Sequence, residues 1–168
     1  MTAPAAFEFR WLSPLGASVV LFILFGLLFL LIGLVTPAAV SRPELRTRDL
    51  LTSERADTIL FGRAPADLFK EDKALATLWR LMALHLAGMF VGFAIFQLVV
   101  VWVGLRQGQI WALWTLTIAD LSILPYLGLI LTSYAASGAR LGVGDMPPYF
   151  LALVIVPIAL GLGWIGLR

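Results

Sequence analysis

Few residues in this chain could do chemistry, and three of them, His85, Gln97 and Asp120, stand within otherwise apolar stretches. Arg80 and Tyr134 stand at the edges of the same stretches. A polar or ionisable group in such surroundings is costly and is a functional candidate by default. Counting helical rise about a turn near Gly108 brings position 97 level with about 119, and position 85 level with about 131. Gln97 and Asp120 then share one depth, about 15 Å from the turn, and the amide can donate to the carboxylate. Two uses follow. The bond fastens two helices, as polar side chains do between apolar segments, or Asp120 carries a proton or binds a cation. Pro125 bears on the second use. It removes the bond to the Leu121 carbonyl, next to the acid, and a freed carbonyl beside a carboxylate is how broken helices build ion sites.

His85 lies about eleven residues, or about 16 Å, from Asp120 in depth, so the two form no dyad. It falls instead with Arg80 and Tyr134, and Arg140, Asp145 and Tyr149 should gather at the same end. This group reads either as a site for a headgroup or small ligand, or as the aromatic belt that Trp79, Tyr134 and Tyr149 would make at any membrane boundary. The candidate ligand-binding set is therefore Asp120, Gln97, His85, Arg80 and Tyr134. No zinc spacing, Ser/His/Asp set, phosphate loop or carboxylate pair occurs in the sequence. No catalytic or metal-ligating residue is expected, and the chain reads as non-enzymatic. A tetrapyrrole held by His85 beside Ala83, Ala87 and Gly88 is a remote option, and a single histidine excludes bis-His ligation within one chain. No cofactor is expected.

These residues need elements to hold them, and composition says which. Of 168 residues, 61% are hydrophobic and 13% charged, and the mean hydropathy is +0.97. Soluble domains carry about 25% charged residues, and one small core could not bury this much apolar surface. Zero cysteines exclude disulfide scaffolds, iron–sulfur clusters and cysteine nucleophiles. The reading is an all-α integral membrane bundle of four transmembrane helices, over residues 15–35, 81–105, 110–134 and 149–167, in one domain. Each stretch is near the length of about 20 residues that a span requires. The first is too long for a signal-peptide core, and a retained helix is expected.

A polar connection over residues 36–80 joins the first two spans, and residues 106–109 make a tight turn between the second and third. Short of Arg80, the long connection carries seven cations against seven acids, which is neither a polybasic lipid tract nor a nucleic-acid patch. Within 49–61, Thr52 or Ser53 could cap a short helix and Gly62 could end it. That segment reads either as a helix lying on the membrane surface or as an ordinary polar loop. Nine cations on the long-loop side against three on the side of the termini put the long loop in the cytoplasm. Gly88 and Gly92, and Gly161, Gly163 and Gly166, offer small-residue faces for close helix approach.

The segment Arg106-Gln107-Gly108-Gln109-Ile110-Trp111-Ala112 resembles the second hairpin of small bacterial four-helix membrane proteins with a long first loop. That resemblance implies a multi-pass protein of the bacterial cytoplasmic membrane. More distantly, the layout resembles the EXPERA fold of emopamil-binding proteins and sigma-2-type receptors, and Asp120-Leu121-Ser122-Ile123-Leu124-Pro125 is similar to their third helix. It implies a bundle cavity for a sterol-like ligand. That family also places acids on its earlier helices, where only His85 and Gln97 could stand in here. The leading functional expectation is a scaffold, accessory subunit or homo-oligomer. A lipid or sterol-like ligand binder, and proton- or ion-coupled transport through Asp120, are the alternatives. Expected partners are membrane lipids and copies of itself or a larger membrane complex, with no nucleic acid.

Overall fold

The computed structural model describes residues 8–41 and 52–168, and among these there are helices and no strands. The helices are α1 (Pro14–Ser41), α2 (Glu54–Phe61), α3 (Pro65–Glu71), α4 (Lys73–Val103), α5 (Ile110–Leu121), α6 (Leu124–Ala136) and α7 (Pro147–Gly166), with a single 3₁₀ turn over Leu105–Gln107. Among the described residues, four helical stretches are long and apolar enough to cross a bilayer: Pro14–Ser41, Lys73–Gln107, Ile110–Ala136 and Pro148–Gly166.

The helix ends differ from the sequence expectation in the long connection. α1 runs through Pro37 to Ser41, and α4 begins at Lys73, so residues 36–80 are not one loop. Asp72 explains the second boundary. Its Oδ1 accepts from the backbone N–H of Ala74 at 2.8 Å and of Leu75 at 3.1 Å, which satisfies two first-turn donors that have no helical partner. Between these helices the chain forms α2 and α3. Ser53 caps α2, accepting from Ala56 N at 3.3 Å, and Gly62 ends it at φ 72°, a left-handed position that favours glycine. Pro65 opens α3, where a missing N–H costs nothing. The part of the expected helix at 49–51 lies outside the described residues.

The described residues gather into two compact units. The first contains 8–28, Phe93–Ser122 and Ala152–Arg168. Its core is Val19, Phe22, Phe25, Ala94, Val101, Leu113, Leu116, Val156 and Ala159, all buried. α4 turns back into α5 through Gly104 and Gly108. A Cβ on Gly104 would stand 2.5 Å from the Ala112 Cβ, and Gly108 has φ 75°. α1 meets α7 where Ser18 Oγ donates to the Ala159 carbonyl at 2.7 Å. Arg106 lies over the Trp102 ring at 4.2 Å and Arg168 over Trp164 at 4.8 Å.

The second unit contains 29–41, 52–92 and Ile123–Leu151. Here α1 and α4 approach at Gly33, where a Cβ would stand 2.7 Å from Val91 Cγ2 and 2.8 Å from the Ala87 carbonyl oxygen. Phe29 and Phe90 pack with ring centroids 5.4 Å apart. A small buried cluster joins Ala56 of α2 to Tyr134 of α6 and to Ala139, flanked by Leu60, Ile130 and Leu141. α5 ends at Leu121 and α6 begins at Leu124; the Ser122 N–H still bonds to the Ile118 carbonyl at 2.9 Å, and Pro125 lacks the N–H that would bond to the Leu121 carbonyl.

The glycine faces divide into used and open positions. A Cβ on Gly163 would stand 2.6 Å from Leu113 Cδ1 and 2.8 Å from Ser18 Oγ, whereas Gly88, Gly92 and Gly161 face open space. Overpacking a tight contact costs about 1–3 kcal/mol. Gly163→Val should therefore lower the unfolding temperature clearly, and Gly161→Val should not. Thermal unfolding of both variants in one detergent checks this pair.

Candidate functional site

The polar centre of the first unit is built from three helices. α4 supplies Gln97, α5 supplies Asp120, and α1 supplies the Phe22 carbonyl. Gln97 Nε2 donates to the Phe22 oxygen at 3.1 Å and to Asp120 Oδ2 at 3.4 Å. Gln97 is 1% exposed and Asp120 4%. The two remaining oxygens, Gln97 Oε1 and Asp120 Oδ1, are buried and accept no hydrogen bond. Buried polar atoms are paired in the great majority of cases, so two unpaired acceptors on one bonded pair mark the site. One turn before Asp120, Thr117 Oγ1 is committed to the Leu113 carbonyl at 2.8 Å.

The second unit holds a different polar group, centred on α2. Tyr134 OH donates to Asp57 Oδ1 at 2.5 Å. Both side chains are buried, Asp57 at 0% and Tyr134 at 1% exposure. Thr52 adds a hydroxyl bond to Asp57 Oδ1 at 3.3 Å. Next to this contact, Asp145 gathers three donors. Ser53 Oγ donates to its Oδ1 at 2.5 Å, and the Gly142 N–H and Arg55 guanidinium donate to its Oδ2 at 2.6 and 3.2 Å. Arg55 also donates to the Arg140 carbonyl at 2.9 Å. These bonds latch α2 onto the segment after α6. An open groove of about 670 Å³ lies along them, lined by Ser53, Glu54, Arg55, Thr58, Ile59 and Asp145.

The structure brings together Gln97 and Asp120, as the depth count requires. It does not join His85 and Arg80 to Tyr134: His85 and Arg80 are exposed on α4, whereas Tyr134 is turned inward onto Asp57. Among the candidates near that end, Asp145 joins the α2 latch, and Arg140 contributes its backbone carbonyl. The residues missed from sequence are Asp57, Ser53 as a side-chain partner of Asp145, and Arg55. All lie in a run of balanced charge that reads as solvated. The available signal was the repeat Ala56, Asp57, Leu60, which puts an acid on the apolar face of a capped helix. Among the described residues no group of three or more His, Cys, Asp or Glu could hold a metal ion. The chain matches no family model, no curated protein and no solved structure in the comparisons made with each.

Two predictions follow from the latch. Tyr134→Phe removes a buried donor from Asp57, and a buried group that loses its partner costs about 1–3 kcal/mol. Hydrogen exchange should accelerate in α2 and stay unchanged in α5. The Asp145 carboxyl is held below the ordinary aspartate value, first by the Gly142 N–H, then by the Ser53 hydroxyl, with Arg55 adding to both. A group depressed in the folded state contributes stability above its unfolded value of about 3.9. That stability fades as pH falls through the lower folded value. Proteolysis near Gly62 should therefore quicken in that acid window, and Asp145→Asn should cleave readily at neutral pH with little further change on acidification.

Proposed function

We propose that this chain is a four-span integral membrane protein, multi-pass in a bacterial cytoplasmic membrane, that works without catalysis as a scaffold or subunit of a membrane assembly. The observation that carries the membrane reading is the outer surface of the long helices. Leu24, Leu31 and Leu34 on α1, Leu81, Met89 and Val99 on α4, Ile118 on α5, Leu129 on α6, and Val154 and Ile165 on α7 are all more than 40% exposed. So much apolar surface needs a cover of lipid or protein. The charged residues of Lys73–Gln107 support it too, since they sit at the ends of that stretch.

The polar side chains at depth support the scaffold reading. Ser18, Gln97 and Thr117 each donate to a helix carbonyl. In two cases the carbonyl belongs to another helix, so these groups fasten the helices together. Polar side chains commonly do this in membranes, each bond contributing on the order of 1 kcal/mol. The open glycines on α4 and α7 leave places where another helix backbone can approach.

Native mass spectrometry from lipid nanodiscs tests this reading. The expected spectrum shows the chain alone, as a defined oligomer, or with a second protein. A stoichiometric small-molecule adduct retained through purification would overturn it in favour of a ligand binder.

A further inference from the structure

The orientation of the Gln97 amide follows from its neighbours. Two acceptors, the Phe22 carbonyl and Asp120 Oδ2, face its nitrogen, so Oε1 is the end left over. The carboxylate is in the matching condition, with Oδ2 receiving the amide and Oδ1 receiving nothing. An amide and a carboxylate side by side hold four acceptor oxygens once the Phe22 carbonyl is counted, and one nitrogen to serve them. What the pair lacks is one hydrogen-bond donor. A carboxylic acid supplies it, because a protonated carboxyl is donor and acceptor at once. The amide N–H to Oδ2 and the acid O–H to Oε1 then close a ring in which both partners give and receive.

We propose that Gln97 and Asp120 form a binding site for a single proton, carried on Asp120 Oδ1 with Gln97 Oε1 as its acceptor. The step is an addition: a proton from bulk solution forms the O–H bond, and no other bond is made or broken. A proton is also the one ligand that needs no room of its own, and the pair is 1% and 4% exposed. Asp120 titrates without ionisable neighbours. It is the only ionisable residue in 14–28, 93–105, 110–122 and 152–167, the stretches that make up the helices of this unit. The other described charged side chains of the unit are Glu8, Arg10, Arg106 and Arg168, all outside those stretches. Because the same amide nitrogen holds the Phe22 carbonyl, the proton also decides how completely α1, α4 and α5 are bonded to one another. The inference rests on the four-span reading only in that lipid keeps water from the pair.

Difference infrared spectroscopy over a pH series, on the full chain in liposomes, tests it. The expected result is a protonated-carboxyl band that titrates reversibly, is lost in Asp120→Asn and moves to higher frequency in Gln97→Leu, where the acid carbonyl loses its N–H donor. Asp120→Asn should keep the wild-type unfolding temperature, because an asparagine amide donates to Oε1 and accepts from Nε2 as the acid does. An isotope label confined to the Asp120 carboxyl of the wild-type chain gives the band directly should either variant fail to fold. A band absent at every pH at which the chain stays folded, or one unmoved by Gln97→Leu, overturns the proposal. Flotation of the same liposomes reports membrane insertion separately, so a chain that floats without the band sinks the proton site alone.

Discussion

Gln97 donates from one nitrogen to acceptors on two other helices, the Phe22 carbonyl of α1 and the Asp120 carboxyl of α5. In an apolar interior such bonds cannot be replaced by water, so the positions of the three elements become mutually dependent. The surrounding contacts are non-directional by comparison. Phe22, Phe25, Val101 and Leu116 are buried apolar residues of the same unit, and apolar packing alone tolerates sliding and repacking. The amide supplies register. Gly26 lies close by, where a Cβ would stand 3.3 Å from Leu98 Cδ2, and it lets α1 come near enough for its carbonyl to be reached.

The second unit solves a different problem. α2 has eight residues and α3 seven, well below the length at which a helix is stable on its own. α2 is held by a cap at each end and by polar bonds to residues some eighty to ninety positions away: Asp57 to Tyr134, Ser53 to Asp145, and Arg55 to Arg140 and Asp145. The exposed ion pairs in the same connection, Arg63 with Glu71 and Lys70 with Asp67, are of the solvated kind that contributes little. The work of holding α2 falls to the buried contact and to the donors collected by Asp145.

Depth was readable from the sequence, and direction round the helix was not. Rise per residue placed Gln97 level with Asp120, and the two do meet. The same count placed His85 level with Tyr134, and they do not. Twelve residues separate His85 from Gln97, which in an α-helix is a rotation of about 120°. Once Gln97 faces the core, His85 is carried away from it. The caps at Ser53 and Gly62 were legible because cap chemistry is local. The start of α4 was missed although Asp72 is an ordinary capping residue, because Lys73 and Arg80 after it masked a helix that begins ahead of the apolar run. The Asp57–Tyr134 contact had no local signature at all, since its partners belong to elements far apart in the chain.

The helices differ in length, and this matters for any bilayer that holds them. α7 has 20 residues and α1 has 28, about 30 Å against about 42 Å of helix. A hydrocarbon core of about 30 Å is matched by α7 with nothing to spare, whereas α1 can tilt or stand proud. Thickening the bilayer by a few ångströms would therefore strain the ends of α7 first, and leave α1 and α4 still matched. Such mismatch costs fractions of a kcal/mol per ångström, yet it sorts proteins among membranes. In this chain one short helix would act as the gauge of bilayer thickness.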